Sequence, residues 1–140
     1  RTNIAKFGRM KLPESQDASE RKIKVLLVDD EKSFVEVLHK RLSKRNMDVT
    51  KSFSGAEGIQ ALRKVDYDVA VLDLKMEDMD GLEVLKIFKT MYPKMEVIIL
   101  TGHKSEQAAR EVLKYGAFAY LTKPCAFEKL LDTITKVIND

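Results

Sequence analysis

The chain has 140 residues, of which 44% are hydrophobic, and a formal net charge of +3. This composition predicts one ordinary globular core and leaves no room for a second folded domain. The single cysteine, Cys125, excludes an internal disulfide, and no apolar run approaches the length of a membrane-spanning helix. We therefore expect a cytoplasmic domain that makes no contact with membranes.

The basic excess lies at the start of the chain. Residues 1–22 carry six basic and three acidic side chains, whereas the remaining residues balance at 19 of each sign. This leader is polar, is interrupted by Pro13 and lacks regular aliphatic spacing, which is typical of a linker or tail. We predict a tail over residues 1–22 and a folded domain over 23–140, with no nucleic-acid surface on the domain.

From residue 23 onward, apolar runs alternate with amphipathic stretches. Strands are predicted in IKVLLVDD, DVTKSF, VAVLD, EVIILT and AFAYLTK, in chain order. Each is followed by residues at helical spacing. The predicted inward faces are, helix by helix, Phe34, Val35, Leu38 and Leu42; Ile59 and Leu62; Val84, Leu85, Phe88 and Met91; Ala108, Ala109, Val112 and Leu113; and Phe127, Leu130, Leu131, Ile134, Val137 and Ile138. Ser54 and Glu57 fit a capping box at the second helix, and Gly116 ends the fourth.

Five strand-then-helix units predict an α/β fold. Parallel strands need a crossover connection, so a helix between each pair of strands indicates a parallel sheet. The third strand is apolar on both faces, at Val69, Ala70, Val71 and Leu72. This pattern is typical of a strand covered by helices on both sides.

Polar residues follow four of these strands. They are Asp29 and Asp30 after the first strand, Asp73 after the third, Thr101 at the end of the fourth, and Lys123 after the fifth. Because the carboxyl ends of parallel strands share one edge of a sheet, these side chains should converge on one crevice. A single acid at a strand end is usually solvated or caps a helix; the combination of four strand ends is what predicts a site.

The chemistry of these residue types indicates phosphoryl transfer. Three neighbouring carboxylates repel one another unless a cation lies among them, and hard oxygen ligands favour Mg²⁺. A carboxylate beside Mg²⁺, faced by a lysine and a hydroxyl, can attack a phosphoryl group and stabilise the product. Asp73 is therefore the candidate nucleophile, with Thr101 and Lys123 as its catalytic partners.

The motifs LLVDDE, VLDLKMEDMDG, ILTG and YLTKP, in that order across residues 23–139, resemble the receiver domain of bacterial two-component response regulators. The resemblance implies a flavodoxin-like doubly wound fold with strand order 2-1-3-4-5. It also implies a phosphoaspartate switch that catalyses only its own Mg²⁺-dependent phosphorylation and dephosphorylation. Asp73 would accept the phosphoryl group from a phosphohistidine on a sensor histidine kinase or a histidine phosphotransfer protein.

The resemblance also implies a set of metal ligands. Asp30 and Asp73 would bind Mg²⁺ directly, Asp29 would support it through water, and Lys75 would offer its backbone carbonyl. The family often has proline four residues after the acceptor, where this chain has Glu77. This departure adds an acid to the loop that follows the acceptor.

The implied switch involves the other strand ends. Lys123 would contact the phosphate. The peptide bond between Lys123 and Pro124 would be cis. Thr101 would move to hydrogen-bond the phosphate, and Tyr120 would be the aromatic side chain that turns in response. The surface of the fourth helix, fifth strand and fifth helix would then change, and it could serve as a homodimer face.

Three alternatives remain open. A phosphatase of the haloacid dehalogenase type uses similar residues, but it places its nucleophile on strand one. A flavin-binding electron carrier shares the fold, but it needs a glycine-rich phosphate loop after strand one, and DDEKSFVE contains no glycine. A third alternative is a receiver module excised from a hybrid histidine kinase or a multidomain transcriptional regulator.

Overall fold

A computed structural model describes residues 21–139. The predicted tail lies outside this range apart from its last two residues, so it stays a prediction. Strands and helices alternate strictly along the described chain. The elements are β1 Ile23–Val28, α1 Lys32–Ser43, β2 Met47–Ser52, α2 Gly55–Lys64, β3 Val69–Leu72, α3 Gly81–Met91, β4 Glu96–Thr101, α4 Glu106–Lys114, β5 Ala119–Thr122 and α5 Phe127–Asn139.

All five strands are parallel, and their order is β2-β1-β3-β4-β5. This confirms the predicted doubly wound fold. The register places Val28 beside Leu72, so the first residues beyond β1 and β3 leave the sheet side by side. The ladder continues for one bond beyond these ends, since the Asp73 amide donates to the Val28 carbonyl at 3.0 Å. The neighbouring pair of β4 and β5 matches Thr101 with Thr122.

The two faces of the sheet bury separate clusters, because successive side chains of a strand point to opposite sides. In β3, Val69 and Val71 join the cluster under α1 and α5, whereas Ala70 and Leu72 join the cluster under α2, α3 and α4. The continuous apolar run that predicted helices on both faces therefore has a direct structural cause. Within residues 21–139, no helix is both long and apolar enough to span a membrane.

Two predicted helix boundaries are confirmed. The Ser54 hydroxyl accepts a hydrogen bond from the Glu57 amide at 3.1 Å, as a capping box requires. The Glu57 carboxylate returns to the Phe53 amide at 2.7 Å, one residue before the N-cap. Gly116 follows α4 with φ of 101°, a left-handed conformation that favours glycine.

One predicted inward residue is wrong. Leu113 is 49% exposed, whereas its neighbour Val112 is buried. Helix α4 has nine residues. Adjacent residues point about 100° apart around a helix, and the centre of the inward stripe falls on Val112, so Leu113 turns toward solvent. Ala108 and Ala109 are half-buried at the edges of this stripe.

Candidate functional site

The carboxyl edge of the sheet forms an open crevice of about 560 Å³. Its lining includes Asp29, Asp30, Glu31, Asp73, Lys75, Glu77, Gly102, His103 and Lys123. The structure therefore brings together the predicted acids, the loop after β3 and the lysine after β5. Thr101 lies fully buried at the end of β4.

Three carboxylates form a cluster in this crevice. Asp29, Asp30 and Asp73 each offer one oxygen, and these three oxygens lie within 4.8 Å of one another. Asp29 and Asp73 are only 5% and 6% exposed. Burial is the main cause that raises the pKa of Asp29, and the charge of Asp73 adds to it. A small cation among these oxygens would remove the repulsion, and an all-oxygen donor set suits Mg²⁺.

Lys123 crosses from the end of β5 to the acids. Its Nζ donates to Asp29 Oδ2 at 2.8 Å and to Glu31 Oε1 at 3.1 Å, and it lies 4.1 Å from the centroid of the Phe34 ring. Burial acts to lower the pKa of Lys123, but the hydrogen bonds to Asp29 and Glu31 and the charges of Asp29 and Asp73 outweigh it, so the pKa is raised. The lysine is therefore held protonated beside the cluster.

The loop between β3 and α3 is closed at its base. Lys75 and Asp80 form an isolated antiparallel bridge, and the Gly81 amide donates to the Leu74 carbonyl at 2.9 Å. Asp80 also caps α3, accepting from the Leu82 amide at 3.0 Å. A Cβ atom on Gly81 would lie 2.4 Å from the Leu74 Cα, so only glycine fits this close approach.

Residues 101 to 105 connect the end of β4 to α4. The Thr101 hydroxyl accepts a hydrogen bond from the His103 amide at 3.2 Å. The Tyr120 hydroxyl donates to the His103 carbonyl and accepts from the Ser105 amide at 3.3 Å. Thr101 and Tyr120 thus contact the same short loop. The Lys123–Pro124 bond on the neighbouring strand end is cis, as expected.

Several contacts at this edge were not anticipated. Glu31 and Phe34 both touch Lys123, and the Asp78 carboxylate binds the start of α2. Glu31 is the last residue of the motif VDDE, but nothing in the sequence around it indicates a contact with a lysine 92 residues away.

The family model that describes the response regulator receiver domain matches residues 25–135. The chain belongs to the response regulator receiver family. Receiver domains are signalling domains, so this membership removes the phosphatase and flavin-carrier alternatives.

Curated relatives of this receiver domain are longer proteins. The transcriptional regulatory protein ZraR of Salmonella typhimurium is 34% identical over 117 residues, which cover 84% of this chain and 26% of ZraR. The DNA-binding transcriptional regulator NtrC of Proteus hauseri is 38% identical over 116 residues, covering 82% and 24% of the two chains. The chain thus spans about a quarter of the length of these relatives.

Solved structures of similar size share the fold of this receiver domain. A CheY-like receiver domain protein from Methanospirillum hungatei superposes with a TM-score of 0.82 at 27% identity, covering 85% of this chain and 95% of that one. A receiver domain protein from Clostridium thermocellum gives 0.79 at 34% identity, covering 84% and 94%.

Proposed function

We propose that this receiver domain is a phosphoaspartate switch in a two-component phosphorelay, with Asp73 as the phosphoryl acceptor. The observation that carries the proposal is the arrangement of three carboxylate oxygens within 4.8 Å of one another, with the Lys123 ammonium bound to one of the acids. A sensor histidine kinase or a histidine phosphotransfer protein would supply the phosphoryl group.

The chemistry assigns a distinct task to each residue. A carboxylate oxygen of Asp73 attacks phosphorus, and a new O–P bond forms while the bond from phosphorus to the donor breaks. The electron pair of the broken bond stays on the leaving group, which is the imidazole nitrogen of a phosphohistidine or an oxygen of acetyl phosphate. Bound Mg²⁺ would supply positive charge for the phosphoryl oxygens. Asp30, Asp73 and the Lys75 carbonyl would hold that ion directly, and Asp29 would hold it through water. Lys123 would exchange a carboxylate partner for a phosphoryl oxygen.

The setting of the switch is also a proposal. The relatives are named as transcriptional regulators, and the match covers only about a quarter of their length, which favours a module of a multidomain transcriptional regulator over one of a hybrid histidine kinase. In either setting, the domain would act in the cytoplasm without touching nucleic acid or membrane. Phosphorylation would alter the surface of α4, β5 and α5, which is the candidate homodimer face.

Removal of the cation tests the proposed chemistry. We expect incubation with acetyl phosphate and Mg²⁺ to add one phosphoryl group per chain, because the cation offsets the charge of the acids and of the incoming phosphate. Excess EDTA should suppress the addition at least tenfold, and surplus Mg²⁺ should restore it. Intact mass spectrometry measures the product. Equal incorporation with and without EDTA would rule out a Mg²⁺-dependent switch.

The switch itself depends on the loop between β4 and α4. We expect beryllofluoride, a mimic of the phosphoryl group, to slow amide exchange in residues 102 to 128 of the wild type. Thr101→Ala should lose most of this response, because it removes the hydroxyl that accepts from the His103 amide of the loop and that would hydrogen-bond the phosphoryl group. We expect the coupling free energy between the phosphoryl site and this loop to be about 1–3 kcal/mol. Exchange followed by mass spectrometry after proteolysis gives the measurement.

Thr133→Ala provides the matched control. The Thr133 hydroxyl bonds only within α5, to the Lys129 carbonyl at 2.8 Å in the described contacts, so its removal should leave the response to beryllofluoride intact. If Thr101→Ala responds like the wild type across the whole region, Thr101 and Tyr120 are not the route of the signal.

A further inference from the structure

The tip of the loop between β3 and α3 is bound at two adjacent residues. The Glu77 amide donates to Asp30 Oδ2 at 2.9 Å. The next side chain, Asp78, accepts from the Gly55 and Ala56 amides at 3.0 Å each, one on either carboxylate oxygen. One side of the loop therefore holds a member of the acidic cluster, and the other side is fixed to the start of α2.

Asp78 completes the N-terminus of α2. The first amides of a helix have no partner inside the helix, and a carboxylate there is also favoured by the helix dipole. Asp78 takes the amides of Gly55 and Ala56, whereas Ser54 takes the next two, through its hydroxyl and its carbonyl. The hydrogen bond from the Gly55 amide, followed by the other backbone bonds, lowers the pKa of Asp78. Its carboxylate is therefore charged at neutral pH.

The close approach of α2 to the loop is built into the packing. A Cβ atom on Gly55 would lie 2.9 Å from Val84 Cγ2 and 3.0 Å from the Met79 sulfur. Glycine therefore lets the start of α2 sit directly against Met79, the residue after Asp78. The contact between Asp78 and α2 thus lies in a packed junction, although the carboxylate itself is exposed.

We propose that Asp78 is a positioning residue for the metal site, which fixes the Glu77 amide and through it the orientation of Asp30. The proposal rests on the proposed function, in which Asp30 is a metal ligand. A hydrogen bond to one carboxylate oxygen fixes which way the other oxygen faces, and loss of such outer contacts weakens metal binding. Glu77 can play this part because it keeps a backbone N–H, which a proline would lack.

Calorimetric titration with Mg²⁺ tests the proposal. Asp78→Ala should weaken binding roughly tenfold, the lower range for outer contacts of metal ligands, and Asp30→Ala should weaken it further. Asp78→Asn keeps an acceptor oxygen, so it should recover part of the loss. Ser54→Ala is the matched control, since it removes another cap from the same helix without releasing the loop, and it should bind Mg²⁺ like the wild type.

A second readout needs no metal. In its absence, the Glu77 amide should exchange faster in Asp78→Ala than in the wild type or in Ser54→Ala. Equal losses of Mg²⁺ affinity in Asp78→Ala and Ser54→Ala would assign Asp78 to the stability of α2 alone and overturn the proposal. Unchanged affinity in Asp78→Ala would overturn it as well.

The titration also separates this proposal from the proposed function. A wild-type domain that binds Mg²⁺ but takes no phosphoryl group contradicts the phosphoryl switch, while the Asp78 comparison is still decided by the measured affinities. A wild-type domain that binds no Mg²⁺ overturns both.

Discussion

We expect Asp73→Asn to abolish phosphoryl incorporation, with no product above background. An amide oxygen is a far weaker nucleophile than a carboxylate oxygen, and the variant also loses one negative charge from the cluster that would hold the cation. The fold should survive, because asparagine has nearly the same shape as aspartate and the bond between the Asp73 amide and the Val28 carbonyl belongs to the backbone. Intact mass after treatment with acetyl phosphate and Mg²⁺ gives the measurement.

Asp66→Asn makes the same chemical change at an exposed acid near the opposite end of β3. It should incorporate phosphoryl like the wild type. A mass increase that persists in Asp73→Asn would place the acceptor on another residue. Peptide mapping of the product would then identify that residue.

Gly81→Ala is expected to produce the largest loss of stability among single changes at this edge. The new Cβ would meet the Leu74 Cα at 2.4 Å, the Asp73 carbonyl oxygen at 2.5 Å and the Leu74 carbonyl oxygen at 2.9 Å. These are backbone atoms, so no side chain can rotate away, and the loop must move apart from the start of α3. We expect a loss of about 3 kcal/mol in the free energy of unfolding, measured by urea denaturation.

Gly102→Ala is the control for this substitution. A Cβ on Gly102 would meet nothing within 4 Å, so the free energy of unfolding should stay within about 0.5 kcal/mol of the wild type. If Gly81→Ala unfolds at the same urea concentration as Gly102→Ala, the loop can widen at little cost, and the close approach at Gly81 does not contribute to the free energy of unfolding.

The sheet could be predicted because its determinants are local. Runs such as Val69–Leu72 are buried on both faces, and the ends of β1, β3, β4 and β5 are each marked by a change from apolar to polar residues within one position. The convergence of Asp29, Asp73 and Lys123 then follows from the parallel topology alone. The error at Leu113 has a different cause, because neighbouring residues of a short helix compete for one narrow inward stripe and periodicity does not decide between them.

The contacts that were missed join distant parts of the chain. Asp78 reaches the start of α2, and Glu31 reaches Lys123. Such bonds depend on the rotamer of one side chain and on where two loops come together, and neither property leaves a repeat in the sequence. The hydrogen bond from Glu77 to Asp30 could not be predicted either, because it uses a backbone amide that every residue except proline carries.

The pairing of Lys123 with Asp29 has a consequence for how the chain is made. Synthesis runs from the N-terminus, so the acids after β1 and β3 are made before β5 and its lysine. Until β5 docks, the Lys123 ammonium cannot bind Asp29, so the acids that the fold gathers at this edge lack that partner. The strand that finishes the sheet by docking against β4 therefore also neutralises part of the charge at this edge.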